Sequence, residues 1–141
     1  NNKVYTSTAR QPGDIVFHNC DGNVTTVLLP VGASNYYSAT LIKSNEAVNA
    51  TWTDTYPADL SGNQLTIDYK ILQKSFVWTV AGTQYIDVIK VQATRTLTTP
   101  VGSTVSIVTS YYARGVGLID EIEETPGGTM ISHQVLLSFT P

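Results

Sequence analysis

Between Leu65 and Gln92 the apolar side chains fall on every second residue, and this period of two constrains the fold more than any other feature of the chain. Leu65, Ile67, Tyr69 and Ile71 share one side of an extended segment, with Thr66, Asp68 and Lys70 on the other. That is the pattern of an antiparallel strand with one face in a core and one in water. Phe76, Trp78 and Val80 resume the alternation, Ala81-Gly82 turns the chain, and Ile86 and Val88 then face oppositely to Tyr85, Ile89 and Val91. The segment reads as a long, strongly twisted hairpin. No stretch shows the 3.6-residue period of an amphipathic helix; Ser44 to Ala50 offers one turn at most.

The same pattern, in shorter pieces, runs through the rest of the chain. Asp14 to Asn19, Val24 to Leu29 and Tyr36 to Lys43 are extended runs, the second entered through Asp21-Gly22-Asn23 and ended by Pro30. Thr104 to Tyr112 follows a turn at Pro100–Ser103; Gly115-Val116-Gly117 then interrupts the alternation as a bulge or kink would. After Pro126-Gly127-Gly128 a last strand carries Ile131, Val135, Leu137 and Phe139 on one face. Thr53 to Ser61 reads as an irregular crossing loop. Composition agrees: Thr, Val, Ile and Tyr make up 53 of the 141 residues. The expectation is one all-β domain over residues 1–141, with eight to ten strands and at most one short helix. Its sheet would be a strongly curved antiparallel one or a half-barrel, with a β-sandwich as the alternative that the same alternation permits.

Charge excludes several functions. With 8 Lys plus Arg against 11 Asp plus Glu, the net charge of −3 provides no footprint for nucleic acid. No apolar run reaches the roughly 18 residues of a transmembrane helix. A single cysteine rules out a disulfide framework or zinc finger built within the chain. The surface is instead rich in uncharged polar residues, 39 Thr, Ser and Asn against 13% charged residues, as is common in exported proteins. The chain begins at Asn1, so a targeting segment would lie outside it.

Candidate chemistry is sparse. His18, Cys20 and Asp21 lie within four residues, and a thiol, an imidazole and a carboxylate can make a nucleophilic site when the fold converges them. Here they read as the end of a strand entering an Asp-Gly turn. The acidic run Asp120, Glu121, Glu123 and Glu124 lacks the spacing of a calcium loop and reads as a solvated hairpin arm. No catalytic residue, metal site or cofactor is expected. The aromatic residues are the better binding signal, since each ring offers an apolar body with a polar handle. Trp52, Trp78, Tyr85, Tyr111 and Tyr112, with Arg114 beside the glycine pair, are the candidate ligand contacts.

Two segments carry a resemblance. Trp78-Thr79-Val80-Ala81-Gly82-Thr83-Gln84-Tyr85-Ile86-Asp87-Val88-Ile89-Lys90-Val91 resembles a V-x-A-G-x-[FY]-x-D-V-[IV]-x-V hairpin of bacterial cell-envelope domains and lipoproteins of unknown function. Tyr111-Tyr112-Ala113-Arg114-Gly115-Val116-Gly117-Leu118-Ile119 resembles the [WY]-[YF]-A-[KR]-G-V-G-L-[IV] segment that follows it in that group. The likeness runs from Phe76 to Phe139. It implies a curved antiparallel sheet or half-barrel related in shape to periplasmic lipoprotein carriers. On this reading the protein is a non-enzymatic exported module, periplasmic, outer-membrane-associated or on the cell surface. Its concave apolar face would take a lipid or a protein segment, the alternative being a glycan bound by an adhesin-like sandwich.

Overall fold

In the computed structural model, β-branched and aromatic residues at alternate positions form ten strands with no helix among the described residues, which are 2–6, 15–21, 23–31, 35–58 and 61–136, with side chains described for 23–27, 37–58 and 61–136. The strands are β1 (Asn2–Thr6), β2 (Ile15–Asp21), β3 (Val24–Val31), β4 (Asn35–Lys43), β5 (Thr51–Pro57), β6 (Gln64–Val80), β7 (Thr83–Thr99), β8 (Gly102–Ala113), β9 (Gly117–Glu124) and β10 (Met130–Val135). They form two antiparallel sheets, one ordered β1-β2-β3-β4 and the other β10-β9-β8-β7-β6-β5. The all-β expectation holds, and within each sheet every strand pairs with its neighbour in sequence, the chain passing from one sheet to the other between β4 and β5.

Three local readings need correction. Thr51–Pro57 is a strand and not the start of a crossing loop: Trp52 and Tyr56 are buried and Thr51, Thr53 and Thr55 exposed, so the period of two continues through it. Pro30 does not end its strand. β2 pairs with β3 only as far as Phe17↔Leu28, so Pro30 has a neighbour on one side alone and its missing N–H leaves no gap in that ladder. Leu65–Ile71 and Phe76–Val80 belong to one 17-residue strand, bent by register shifts at Ile71/Gln73, Gln73/Phe76 and Phe76/Trp78.

The bend has a backbone cause. Ser75 and Asp87, on opposite strands of the β6–β7 hairpin, both have positive φ (55° and 53°), and Ser75 Oγ donates to Asp87 Oδ1 at 3.1 Å. Residues with side chains adopt this conformation singly and at a cost, so the pair marks an imposed kink. Beyond Asp87 the alternation is reset: Val88 is buried in the same cluster as Tyr85, where an unbroken alternation would place it on the opposite face.

Two clusters make the core. The larger joins both sheets: Val27, Ala39 and Ile42 meet Trp52, Tyr56, Ile67, Tyr69, Ile71, Val91, Ala93 and Val108. Its seam is made by side chains. Trp52 Nε1 donates to the Thr40 carbonyl at 2.8 Å, and the Thr40 N–H donates to Asp54 Oδ2 at 2.6 Å, so β5 satisfies the edge of β4 with side chains from its face. The connection over 44–50 is pinned to β6, where Ile71, with no exposed surface, exchanges backbone hydrogen bonds with Asn49 and Ala50. The smaller cluster, Val80, Val88, Tyr111, Ala113 and Ile119, belongs wholly to the six-stranded sheet.

That second cluster shows the curvature. Trp78 on β6 stacks on Tyr111 on β8 at 4.3 Å and donates from Nε1 to Asp120 Oδ2 on β9 at 2.9 Å. Three inter-strand spacings in a flat sheet amount to about 14 Å, more than the two side chains can span, so the sheet curls over itself here. With β5 and β10 at its edges, it is an open curved sheet.

Candidate functional site

The six candidate contacts separate into three places. Trp52 and Tyr112 belong with the larger core: Trp52 is buried, stacked on Tyr69 at 5.0 Å with Lys43 Nζ 5.6 Å from its ring centre, and half-buried Tyr112 packs against the same cluster. Trp78, Tyr85 and Tyr111 meet in the smaller core, Trp78 and Tyr85 as direct cross-strand partners. Arg114 lies in the β8–β9 turn with an 85% exposed side chain, its Nη1 3.4 Å from Asp87 Oδ2. No described tryptophan, tyrosine or phenylalanine side chain is exposed, so among these residues there is no flat aromatic platform for a glycan.

His18, Cys20 and Asp21 lie on β2, which continues through Asn19 to Asp21; their side chains are outside the described residues, as are Leu137 and Phe139. The acidic run departs from a solvated arm. Asp120 is 5% exposed and holds two partners, Trp78 Nε1 on Oδ2 and His133 Nε2 on Oδ1 at 2.8 Å. The β9–β10 hairpin makes the second contact, because pairing Val135 with Asp120 puts His133 on the diagonal from it. Glu121 and Glu123 point to the opposite face. There Ser110 Oγ donates to Glu121 Oε2, and Ser106 Oγ to Glu123 Oε1, each at 2.8 Å. No group of three His, Cys, Asp or Glu converges as metal donors among the described residues.

Asp120 and His133 form the carboxylate–imidazole part of a proton relay, without a hydroxyl or thiol hydrogen-bonded to the ring among the described residues. The arrangement anchors structure: it ties β6, β9 and β10 across the curled end. Burial acts on the phenols too. It raises the pKa of Tyr56, Tyr69 and Tyr112 above the ordinary tyrosine value, chiefly by desolvation, with Asp54 adding to the effect at Tyr56 and Tyr69 and Glu121 at Tyr112.

Among the described residues an open concavity lies elsewhere, and reading the residues alone missed it. A cleft of about 290 Å³ is lined by Leu65, Arg95, Leu97, Thr104, Val105, Ser106 and Ile131. Its geometry follows from register: Leu65↔Leu97↔Thr104 and Ile67↔Arg95↔Ser106 are adjacent cross-strand rows on the face that forms the larger core further along. Leucines and an isoleucine make the walls, with one cation among them. Arg95 forms a loose ion pair with Glu123, Nη1 standing 3.8 Å from Oε1, a separation longer than a hydrogen bond. The alternation marked Leu65 as inward-facing, but nothing in it showed that Leu65, Arg95 and Leu97 stay partly open beside the larger core.

These features define an open antiparallel β protein with a curled sheet and a small, half-apolar cleft. Compared with known proteins, the chain matches no family model, no curated protein and no solved structure.

Proposed function

We propose that the protein is a non-enzymatic binding module of the exported bacterial cell envelope, whose cleft takes an apolar ligand segment ending in an acidic group. The observation that carries the reading is the juxtaposition of Leu65, Leu97 and Ile131 with Arg95 in one open concavity. Apolar walls contribute burial, and a guanidinium supplies a directed charge-assisted bond, the division of labour usual in ligand sites. A volume of about 290 Å³ is near the lower end of such sites, which suits part of an acyl chain or one side chain of a partner protein better than a whole lipid. Export is supported by the uncharged Thr, Ser and Asn surface and by the two envelope-like segments.

The test is a calorimetric titration of the protein with octanoate, alongside Arg95→Gln and Leu97→Asp variants. Saturable binding to the unsubstituted chain is expected, weakened about tenfold by Arg95→Gln, the equivalent of one charge-assisted hydrogen bond, and abolished by Leu97→Asp. Absence of binding, or binding indifferent to both substitutions, overturns the reading.

A further inference from the structure

Building on the binding role given to the cleft, on which the assignment depends, we propose that Glu123 is the cleft's resident counter-ion. Glu123 holds Arg95 while the cleft is empty, and the ligand's acidic group takes Arg95 from it, so that binding exchanges one ion pair for another. Glu123 does not itself line the cleft. It acts through Arg95 and Ser106, which do, and is a positioning residue that sets the affinity of the site.

Cross-strand register builds the arrangement. Arg95 on β7 is the direct partner of Ser106 on β8, and Glu123 on β9 is the direct partner of Val108 on β8 and of Ser132 on β10. Cross-strand partners share a face, as do residues two apart on a strand, so Arg95, Ser106, Glu123 and Ser132 all project from one side of the sheet. Hydroxyls hold the Glu123 carboxylate from both flanks: Ser106 Oγ donates to Oε1 at 2.8 Å and Ser132 Oγ to Oε2 at 3.4 Å. Arg95 Nη1 stands further off, 3.8 Å from Oε1. Among the described residues Glu123 is the one carboxylate within ion-pair distance of Arg95. Asp54, in the same cross-strand row as Arg95, is engaged instead by the Thr40 N–H.

These unequal holds decide which contact gives way. When Arg95 turns to a ligand, Glu123 keeps both serine hydroxyls and, with 23% of its side chain exposed, keeps water as well, so no buried charge is orphaned. A part-exposed ion pair longer than a hydrogen bond contributes little, whereas a guanidinium in hydrogen-bond contact with a carboxylate makes one of the stronger polar contacts. A ligand carboxylate brought into reach by the apolar walls therefore displaces Glu123 from Arg95.

The test extends the octanoate titration to Glu123→Gln, Glu121→Gln and the double variant Arg95→Gln/Glu123→Gln. Glutamine keeps an oxygen to accept from Ser106, so the fold should persist. Octanoate should bind Glu123→Gln about threefold more tightly than the unsubstituted chain, the effect of releasing one part-exposed ion pair. Glu121→Gln removes an equal charge from the same strand, beside Ser110, and should change the affinity much less. In the double variant the gain should vanish, leaving the affinity of Arg95→Gln alone. A gain that survives without Arg95 shows Glu123 repelling the ligand directly and overturns the exchange. Affinity unchanged or weakened in Glu123→Gln, or raised as much by Glu121→Gln, also overturns it while leaving the cleft a binding site. No binding by any of these chains overturns the exchange and the binding role of the cleft together.

Discussion

Replacing Trp78 with Phe tests whether the curled end is held by the Trp78–Asp120 hydrogen bond or by apolar packing alone. Phenylalanine keeps a ring over Tyr111 but removes the donor at 2.9 Å from a carboxylate that is 5% exposed. A hydrogen bond to a charged group contributes about 1.5–3 kcal/mol, and Asp120 would retain only His133. The ring area lost from a half-buried indole adds under about 1 kcal/mol at roughly 25 cal/mol per Å². The expected loss is therefore about 2–4 kcal/mol, measured as a shift of the urea midpoint at constant m-value. The same substitution paired with Asp120→Ala should cost less than the sum of the two single changes, because the orphaned buried charge is gone; coupling of this kind amounts to about 0.5–3 kcal/mol. Val77→Ala, at an exposed neighbouring position, serves as the control. If Trp78→Phe costs no more than that control, or the two changes add without coupling, the bond across β6 and β9 does not hold the curl.

Two further outcomes follow from the same structure. Burial raises the pKa of Tyr56, Tyr69 and Tyr112, so the folded chain binds more protons than the unfolded one above the ordinary tyrosine pKa of about 10. Stability should therefore be intact below that pH and fall as pH rises above it, with phenolate absorbance near 295 nm developing in part only as the protein unfolds; phenols that all ionise while the fold persists would refute the burial argument. At the β6–β7 turn, Ala81 (φ 47°) and Gly82 (φ 82°) both take the left-handed conformation, which favours Asn before Gly. Ala81→Asn should stabilise the protein by about 0.5–1 kcal/mol in thermal unfolding, and a destabilisation would show that the turn is not limited by backbone strain.

Period-two alternation was enough to read the class of fold and most turns, because a strand displays its face assignment locally. Its failures share a cause. Asp87 and Ser75 adopt a conformation that neither residue type announces, and one such residue resets every face beyond it; hence Val88 joins the cluster of Tyr85. Thr53 to Ser61 looked irregular because Pro57 and the polar residues outweighed Trp52 and Tyr56, whose burial depends on a sheet contributed by residues much earlier in the chain.

The sequence by itself determined an antiparallel β protein of low charge, its hairpin order and the twisted arm from Phe76 to Val91, since these depend on neighbouring residues and short turns. Only the tertiary structure decided what the side chains do. It placed the candidate aromatic residues in two cores, buried Asp120 between Trp78 and His133, and left Arg95 with Leu65 and Leu97 in an open cleft. The physical reason is that alternation says which way a residue points, while burial depends on what lies opposite. That is set by sheet curl and sheet cover, which join residues tens of positions apart.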